Sequence, residues 1–260
     1  MVKVGIIGGS GVYDPKLLTG VKQIKVHTPY GNPSDLVTVG KLHDREVVVI
    51  PRHGPHHTES PTDVNYRANI WAMKELGVTH ILSPCAVGSL QDNIKPGEFV
   101  FVDQFIDKTT KRKSTFYEGH HVCHISVAEP TCPNLNKVLI ETSKKLKLHF
   151  HEKGTYICIE GPRFSTRAES RLYRNLGAHI IGMTLVPECV LARETEICYS
   201  SIAMVTDYDT FKEESVTIEE VLKTMNKNIK KVKNLLMEVI PKIPEKRDCY
   251  CATALKGALL

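Results

Sequence analysis

The chain has 260 residues, 42% of them hydrophobic and 24% charged, the balance of a globular protein long enough to bury a sizeable core. Its net charge of +5 comes with acids interleaved among the bases and no aromatic residues interleaved within the basic runs, which argues against nucleic-acid binding and suits a small anionic substrate. No apolar run reaches the roughly 18 residues of a membrane span, and MVKVGII carries no cleavable leader pattern, so the expectation is a cytoplasmic protein with no membrane partner.

In chain order, KVGII (3–7) reads as a strand entering the loop GGSG (8–11). REVVVI (45–50) is a second strand and ends in PRHG. A helix follows, with Ser60 as N-cap, Pro61 in its first turn, Asp63 three residues after the cap and Gly77 past its end. Its apolar face is Val64, Ala68, Trp71, Ala72 and Leu76. VTHILS (78–83) is a strand running into a small-residue loop, PCAVGSL. GEFVFVDQFI (97–106) alternates like one longer strand, a helix fits 135–147, and GTYICIE (154–160) is a strand. Thr166 and Glu169 have capping-box spacing for a helix closed by Gly177. AHIIG (178–182) and ICYSSIAMVTDYD (197–209) are strands, and Thr217 and Glu220 cap a last helix with an apolar stripe from Ile218 to Val239. The pattern predicts an α/β fold: a single domain with a central mixed, twisted sheet flanked by helices.

Several of these strands end in small or polar residues, and ligands of α/β folds bind beyond strand ends. Gly9 and Gly11 match the first two glycines of a dinucleotide fingerprint, but the third position is Asp14, whose carboxylate would repel a pyrophosphate. A single phosphate fits better, with Ser10 adding a hydroxyl and Arg52 gripping two oxygens as a rigid fork. His53 and His57 could bond the same anion or a sugar hydroxyl, whereas His56 reads as a surface turn. Asp207 and Asp209 are either an acid–base pair or a turn, and Phe164 is a stacking platform or, more simply, a core residue. The eight cysteines lack the paired C-x-x-C spacing of a zinc site, and CYC at 249–251 is a poor bite for a tetrahedral ion, so no metal is expected. Buried free thiols and the intracellular disulfides of a protein from a hot environment are both compatible with the cysteine count.

GIIGGSG, TPYGNPSD, RHG, NYRANIWAMKELG, DQFIDKT, IEGPRFSTRAES, GMTLVPE and SIAMVTDYD occur in that order. From residue 3 to about 244 the chain resembles the trimeric-type purine nucleoside phosphorylases, and within them the branch acting on 5′-methylthioadenosine. The resemblance implies phosphorolysis of that nucleoside to adenine and 5-methylthioribose 1-phosphate, or alternatively of adenosine or a 6-oxopurine nucleoside. Phosphate is then a co-substrate and no cofactor is needed. It implies a nucleoside phosphorylase domain at 1–244 and a C-terminal tail with a C-x-C pair at 245–260. Ser10, Arg52, His53, Cys85, Ala86 and Thr184 correspond to phosphate contacts. Met183 corresponds to the residue along the ribose, Phe164 to the one packing on the base and Ser165 to one near its edge. Asp207 and Asp209 correspond to the base-binding carboxylates, with Asp207 as proton donor. Ile218 and Leu222 correspond to the methylthio pocket, and His124 to a residue lent by a neighbouring subunit of a trimer or hexamer. Two positions depart from the pattern: Cys85 stands where relatives often carry threonine or serine, and Pro55 where they carry a polar or basic residue. Thermophilic members bridge the positions of Cys132 and Cys198, and Cys249 and Cys251 resemble their C-terminal redox pair. Cys123, Cys158 and Cys189 are expected to be free.

Overall fold

β1 (Lys3–Gly8) is apolar on both faces, and such a strand needs partners on both sides and cover above and below. The computed structural model, which describes residues 2–9, 11–12, 18–212 and 218–260 except the side chains of Ile218 and Glu220, gives it both. It lies parallel to β4 (Arg45–Pro51) on one side and to β5 (His80–Ser89) on the other. β2 (Thr19–Ile24) and β3 (Val37–Leu42) extend the sheet antiparallel beyond β4.

On the far side of β5 the sheet divides. β10 (Ile180–Gly182) pairs antiparallel with the last residues of β5 and leads through β9 (Thr155–Ile159) to β7 (Gln104–Lys108). β11 (Cys198–Tyr208) runs parallel to β5 along its whole length and leads through β6 (Phe99–Phe101) to β8 (Phe150–His151). The sheet has 11 strands among the described residues.

Alternate residues of each strand feed opposite layers. Ile7, Val48 and Ile50 pack with α1 (Tyr66–Glu75) and α4 (Leu185–Glu194), while Val4, Ile6, Val47 and Val49 pack with α2 (Pro133–Lys145) and α5 (Ile218–Val239). α3 (Arg167–Asn175) brings Tyr173 onto Ile157, Ile159 and Ile181. Its N-terminus carries the expected reciprocal capping box between Thr166 and Glu169.

Four sequence expectations change. α1 starts at Tyr66, capped by Asn65, because Ser60 spends its hydroxyl on Asp63 (2.6 Å) and closes a turn of its own; Asn65 instead accepts from the Ala68 N–H at 3.1 Å. PCAVGSL is strand through Ser89, not loop, since β11 supplies ladder partners throughout. GEFVFVDQFI breaks into β6 and β7, whose partners lie on different branches of the sheet. The expected Cys132–Cys198 and Cys249–Cys251 bridges are not formed. All eight cysteines are free thiols, and the sulfurs of Cys198 and Cys249 are 3.4 Å apart, well beyond the bond length of about 2.05 Å. Cys158 and Cys189 are buried and Cys123 half-buried. Ser10 and the Thr217 cap lie outside the described residues.

Gly182 closes β10 directly against the fully buried ring of Tyr156: a Cβ there would lie 2.0 Å from the phenolic oxygen. That oxygen accepts from the Thr184 N–H at 3.2 Å, so the ring has no free direction in which to retreat. Gly182→Ala is therefore expected to destabilise the fold by about 1–3 kcal/mol, read as a lowered midpoint in urea unfolding.

Candidate active site

The C-terminal ends of the central strands open onto one cleft of about 400 Å³. Gly9 follows β1, Arg52 and His53 follow β4, Cys85 to Gly88 belong to β5, and Thr206 and Asp207 end β11; all line the cleft. It has a polar floor at one end, two carboxylates at the other, and apolar walls between.

Arg52 makes the floor. It is 1% exposed, yet its guanidinium is held from four directions. Nε donates to Glu188 Oε2 at 2.7 Å, and Nη2 donates to Glu188 Oε1 at 3.0 Å, to Ser83 Oγ at 2.6 Å and to the Ile7 carbonyl at 2.9 Å. Glu188 also accepts from Ser83 (2.5 Å) and from Tyr199 (2.8 Å). Burial works against the Arg52 charge, and the Glu188 carboxylate more than offsets it, holding its pKa above the ordinary arginine range. The expected two-pronged grip on an anion is thereby corrected: the fork is turned onto Glu188. Nη1 makes one long bond, to the Pro84 carbonyl at 3.4 Å. That leaves Nη1 one N–H with no acceptor among the described residues.

His53 is the second polar element. Burial first, then the Arg52 charge and His57, lower its pKa to about 3. Its Nδ1 lies 3.0 Å from the Glu59 carbonyl, an acceptor only, which fixes the neutral Nδ1–H tautomer and leaves Nε2 as an acceptor. His57 stacks on it at 4.3 Å, and His56 is exposed in a left-handed turn, as expected. Thr184 and Ala86 line the same end. The Cys85 thiol also lines it, but burial raises its pKa and its sulfur engages Ser201 at 3.5 Å, so it offers only a weak donor.

At the opposite end, a register shift between Val205 and Asp207 lifts Thr206 out of the ladder and seats Asp207 opposite Gly88. A side chain at 88 would meet the Asp207 carboxylate at 3.0 Å, so glycine makes room for it. Asp209 is 3% exposed; its two oxygens each lie 2.7 Å from Ser165 Oγ, and its N–H donates to the Ser89 carbonyl at 2.9 Å. Phe164 is 47% exposed on the cleft wall, which overturns the plain core reading. Met183 lines the cleft between the two polar ends, packed against Gly161, and Leu222 is joined there by Val221 and Met225. The Ile218 side chain and Ser10 lie outside the described residues. His124 is not part of this cleft; its N–H donates to the Ala258 carbonyl of the tail.

Two residues that organise the site escaped the sequence reading. Glu188 sits in LVPECV, an apolar run with no polar periodicity to single it out. Arg112, in the basic run KRK, is buried rather than solvated. Its Nη1 donates to the carbonyls of Met183 and Val186 at 2.6 Å each, and its Nε to Glu160 at 2.9 Å. It thereby ties the loop after β9 to the loop after β10. Burial notwithstanding, the N–H groups of Thr110 and Lys111 together with Arg112 bring the Glu160 carboxyl down to about 2.

The model of the phosphorylase superfamily matches residues 3–241. An S-methyl-5′-thioadenosine phosphorylase of Thermofilum pendens is 58% identical over 259 residues, covering 100% of this chain and 99% of the relative. One of Pyrococcus furiosus is 57% identical over 259 residues, covering 98% of each. Among solved structures, the methylthioadenosine phosphorylase of Schistosoma mansoni in complex with adenine matches with a TM-score of 0.92 at 40% identity, over 99% of both chains. A methylthioadenosine phosphorylase from an Antarctic soil metagenomic library matches with a TM-score of 0.94 at 43% identity, over 100% of this chain and 92% of the other.

Removing Glu188 would leave the buried Arg52 charge without its counter-ion. Glu188→Ala is expected to cost about 3–5 kcal/mol of stability, measured by denaturant titration. Glu188→Gln, which keeps the shape, should fold better than the alanine variant and, with the Arg52 charge no longer neutralised, tighten sulfate binding at the cleft, measured by calorimetry.

Proposed function

The chain belongs to the phosphorylase superfamily, and we propose that it cleaves 5′-methylthioadenosine with inorganic phosphate, giving adenine and 5-methylthioribose 1-phosphate. The observation that carries this reading is the polarity of the cleft: a buried guanidinium at one end, two carboxylates at the other, and apolar walls between. A phosphorolytic enzyme has to hold its nucleophile beneath C1′ and its leaving group above, and these two polar ends lie on opposite sides of the span a nucleoside would fill.

In the proposed reaction a phosphate oxygen bonds to C1′ as the C1′–N9 bond breaks, and the bond's electron pair passes to the purine. Positive charge grows on the ribose and is met by the phosphate anion, which the Nη1 edge of Arg52 and the residues around it keep in place. Neutral His53 would accept a hydrogen bond from a protonated phosphate oxygen through Nε2. Because Glu188 already neutralises Arg52, the phosphate keeps its negative charge available to the ribose.

The purine leaves readily only if N7 gains a proton, and Asp207 is the proposed donor. Its surroundings accommodate both protonation states. The Thr206 hydroxyl lies 2.6 Å from Asp207 Oδ1 and 3.1 Å from the Val87 carbonyl. With its single proton it serves the ionised carboxylate, or turns to Val87 and accepts when Asp207 is protonated. Asp209 is proposed to accept from the purine 6-amino group: Ser165 has one proton for its two oxygens, so acceptor capacity remains. A 6-oxo purine would set oxygen against that carboxylate, a mismatch of about 1–3 kcal/mol. Val221, Leu222 and Met225 would hold the methylthio group, a preference that rejects a hydroxyl only about 100-fold. No role in this scheme calls for a cofactor.

We further propose that the enzyme is a homo-oligomer, a trimer or a hexamer. Leu222, at 56% exposure, and Phe164 stand at the cleft uncovered by the described residues of their own chain, yet a cationic transition state needs water kept out. His124, outside its own cleft, would reach a neighbour's. Light scattering should give a multiple of three chains, and His124→Ala should raise KM for methylthioadenosine several-fold with kcat little changed.

The direct test is adenine release from methylthioadenosine that requires phosphate; release without phosphate, or none with it, refutes the reading. Asp207→Asn is expected to lower kcat by roughly 10²–10⁴. Asp209→Asn should narrow the preference for adenosine over inosine by on the order of tenfold.

A further inference from the structure

Far from the cleft, the structure assembles something the cysteine spacing did not announce. The sulfurs of Cys132, Cys198, Cys249 and Cys251 all lie within 4.8 Å of one another. They come from separate segments: the N-cap of α2, the first residue of β11, and both ends of the step Cys249-Tyr250-Cys251 that opens a single 3₁₀ turn in the tail. Cys132, Cys198 and Cys251 are buried, and Cys249 is half-buried. We propose that these four thiols, when reduced, form a tetrathiolate site for one zinc ion, which fastens the C-terminal tail to the corner between α2 and β11.

The separations suit that ligand set. Tetrahedral zinc with Zn–S bonds of about 2.3 Å holds its sulfurs roughly 3.8 Å apart. Here the sulfurs of Cys198 and Cys249 are 3.4 Å apart and no pair exceeds 4.8 Å, so closing the shell requires shifts of an ångström or less. The short C-x-C bite, which argued against a metal on spacing alone, is offset because the other two ligands approach from different elements. Each thiol gives its proton to solvent as its sulfur bonds the ion, leaving a site with two net negative charges.

A second observation points to an anion at this place. Arg193 of α4 is 3% exposed, and its Nε and Nη1 have no hydrogen-bond partner among the described residues. Its guanidinium lies over the ring of Tyr250 at 4.5 Å, directly between the two tail cysteines in sequence. Among the described residues only Nη2 is engaged, with the Glu129 carbonyl and the Tyr250 hydroxyl. A buried cation with two idle donors is costly unless negative charge stands near it. The N-terminus of α2 adds a favourable dipole at Cys132.

Cobalt(II) and zinc(II) salts, added to the full chain reduced with a phosphine under anaerobic conditions, provide the test. One cobalt per chain should give an intense near-ultraviolet thiolate-to-cobalt charge-transfer band, and an equivalent of zinc should abolish it. Zinc should protect these four cysteines from alkylation, mapped by peptide mass spectrometry, while Cys123 reacts at an unchanged rate. The double variant Cys249→Ser/Cys251→Ser should lose the band and the bound metal while phosphorolysis persists. Absence of the band with all thiols reduced, protection that includes Cys123 equally, or a band retained in the double variant would each overturn the proposal. The alkylation map is read on the unmodified chain, so it decides even where the variant fails to fold.

Discussion

The site rests on one buried ion pair. Arg52 and Glu188 meet beside α4, at the ends of β1 and β4 and against the first halves of β5 and β11. The Ile7 carbonyl, Ser83 and Tyr199 complete the shell around them. Removing either charge would leave the other in a dry interior, which costs several kcal/mol. The pair therefore fixes the distance between α4 and the sheet, and with it the loop carrying Met183 and Thr184. It also sets the electrostatics of the floor. A guanidinium already neutralised by a carboxylate gives direction to an anion without cancelling its charge, and a nucleophile that must answer a growing cation needs that charge intact.

The opposite wall is built by irregularity. A continuous ladder between β5 and β11 would direct alternate residues to opposite faces of the sheet. The bulge at Thr206 breaks the alternation, and Gly88 leaves the space into which Asp207 turns. Arg112 then binds the loops after β9 and β10 through their carbonyls, so that Phe164 and Ser165 on one loop and Met183 on the other form one wall.

How much of this could be read from residues alone follows the range of each signal. Strands β1, β4, β9 and β11 were legible because period and composition are local, as was the capping box of α3. β2 was not, since TGVKQI is exposed almost throughout and has no apolar alternation. α4 was missed for the opposite reason: buried nearly all round, it has no polar face to mark a helical period. Arg52, His53, Thr184 and the two aspartates stood out because strand ends with polar residues are conspicuous. Glu188 could not, because its meaning depends on a partner 136 residues away. The cysteines follow the same rule: their spacing says little, and their grouping exists only once α2, β11 and the tail have docked.

The two functional regions share a scaffold and are kept apart by it. β5 and β11 run parallel, with His80 and Cys198 in register at one end and Ser89 and Tyr208 at the other. The strand from Cys198 to Asp207, rising about 3.3 Å per residue, sets the thiol nest roughly 30 Å from the carboxylates of the cleft. α4 spans part of the same distance, presenting Glu188 to the floor of the cleft and Arg193 to the tail. One helix thus carries a buried charge at each region, satisfied at the first by an arginine and at the second left with idle donors. Fastening the tail, by a metal or by bridges among the same sulfurs, acts on the N-terminal ends of these strands, where it can resist unfolding without touching the groups that meet the substrate.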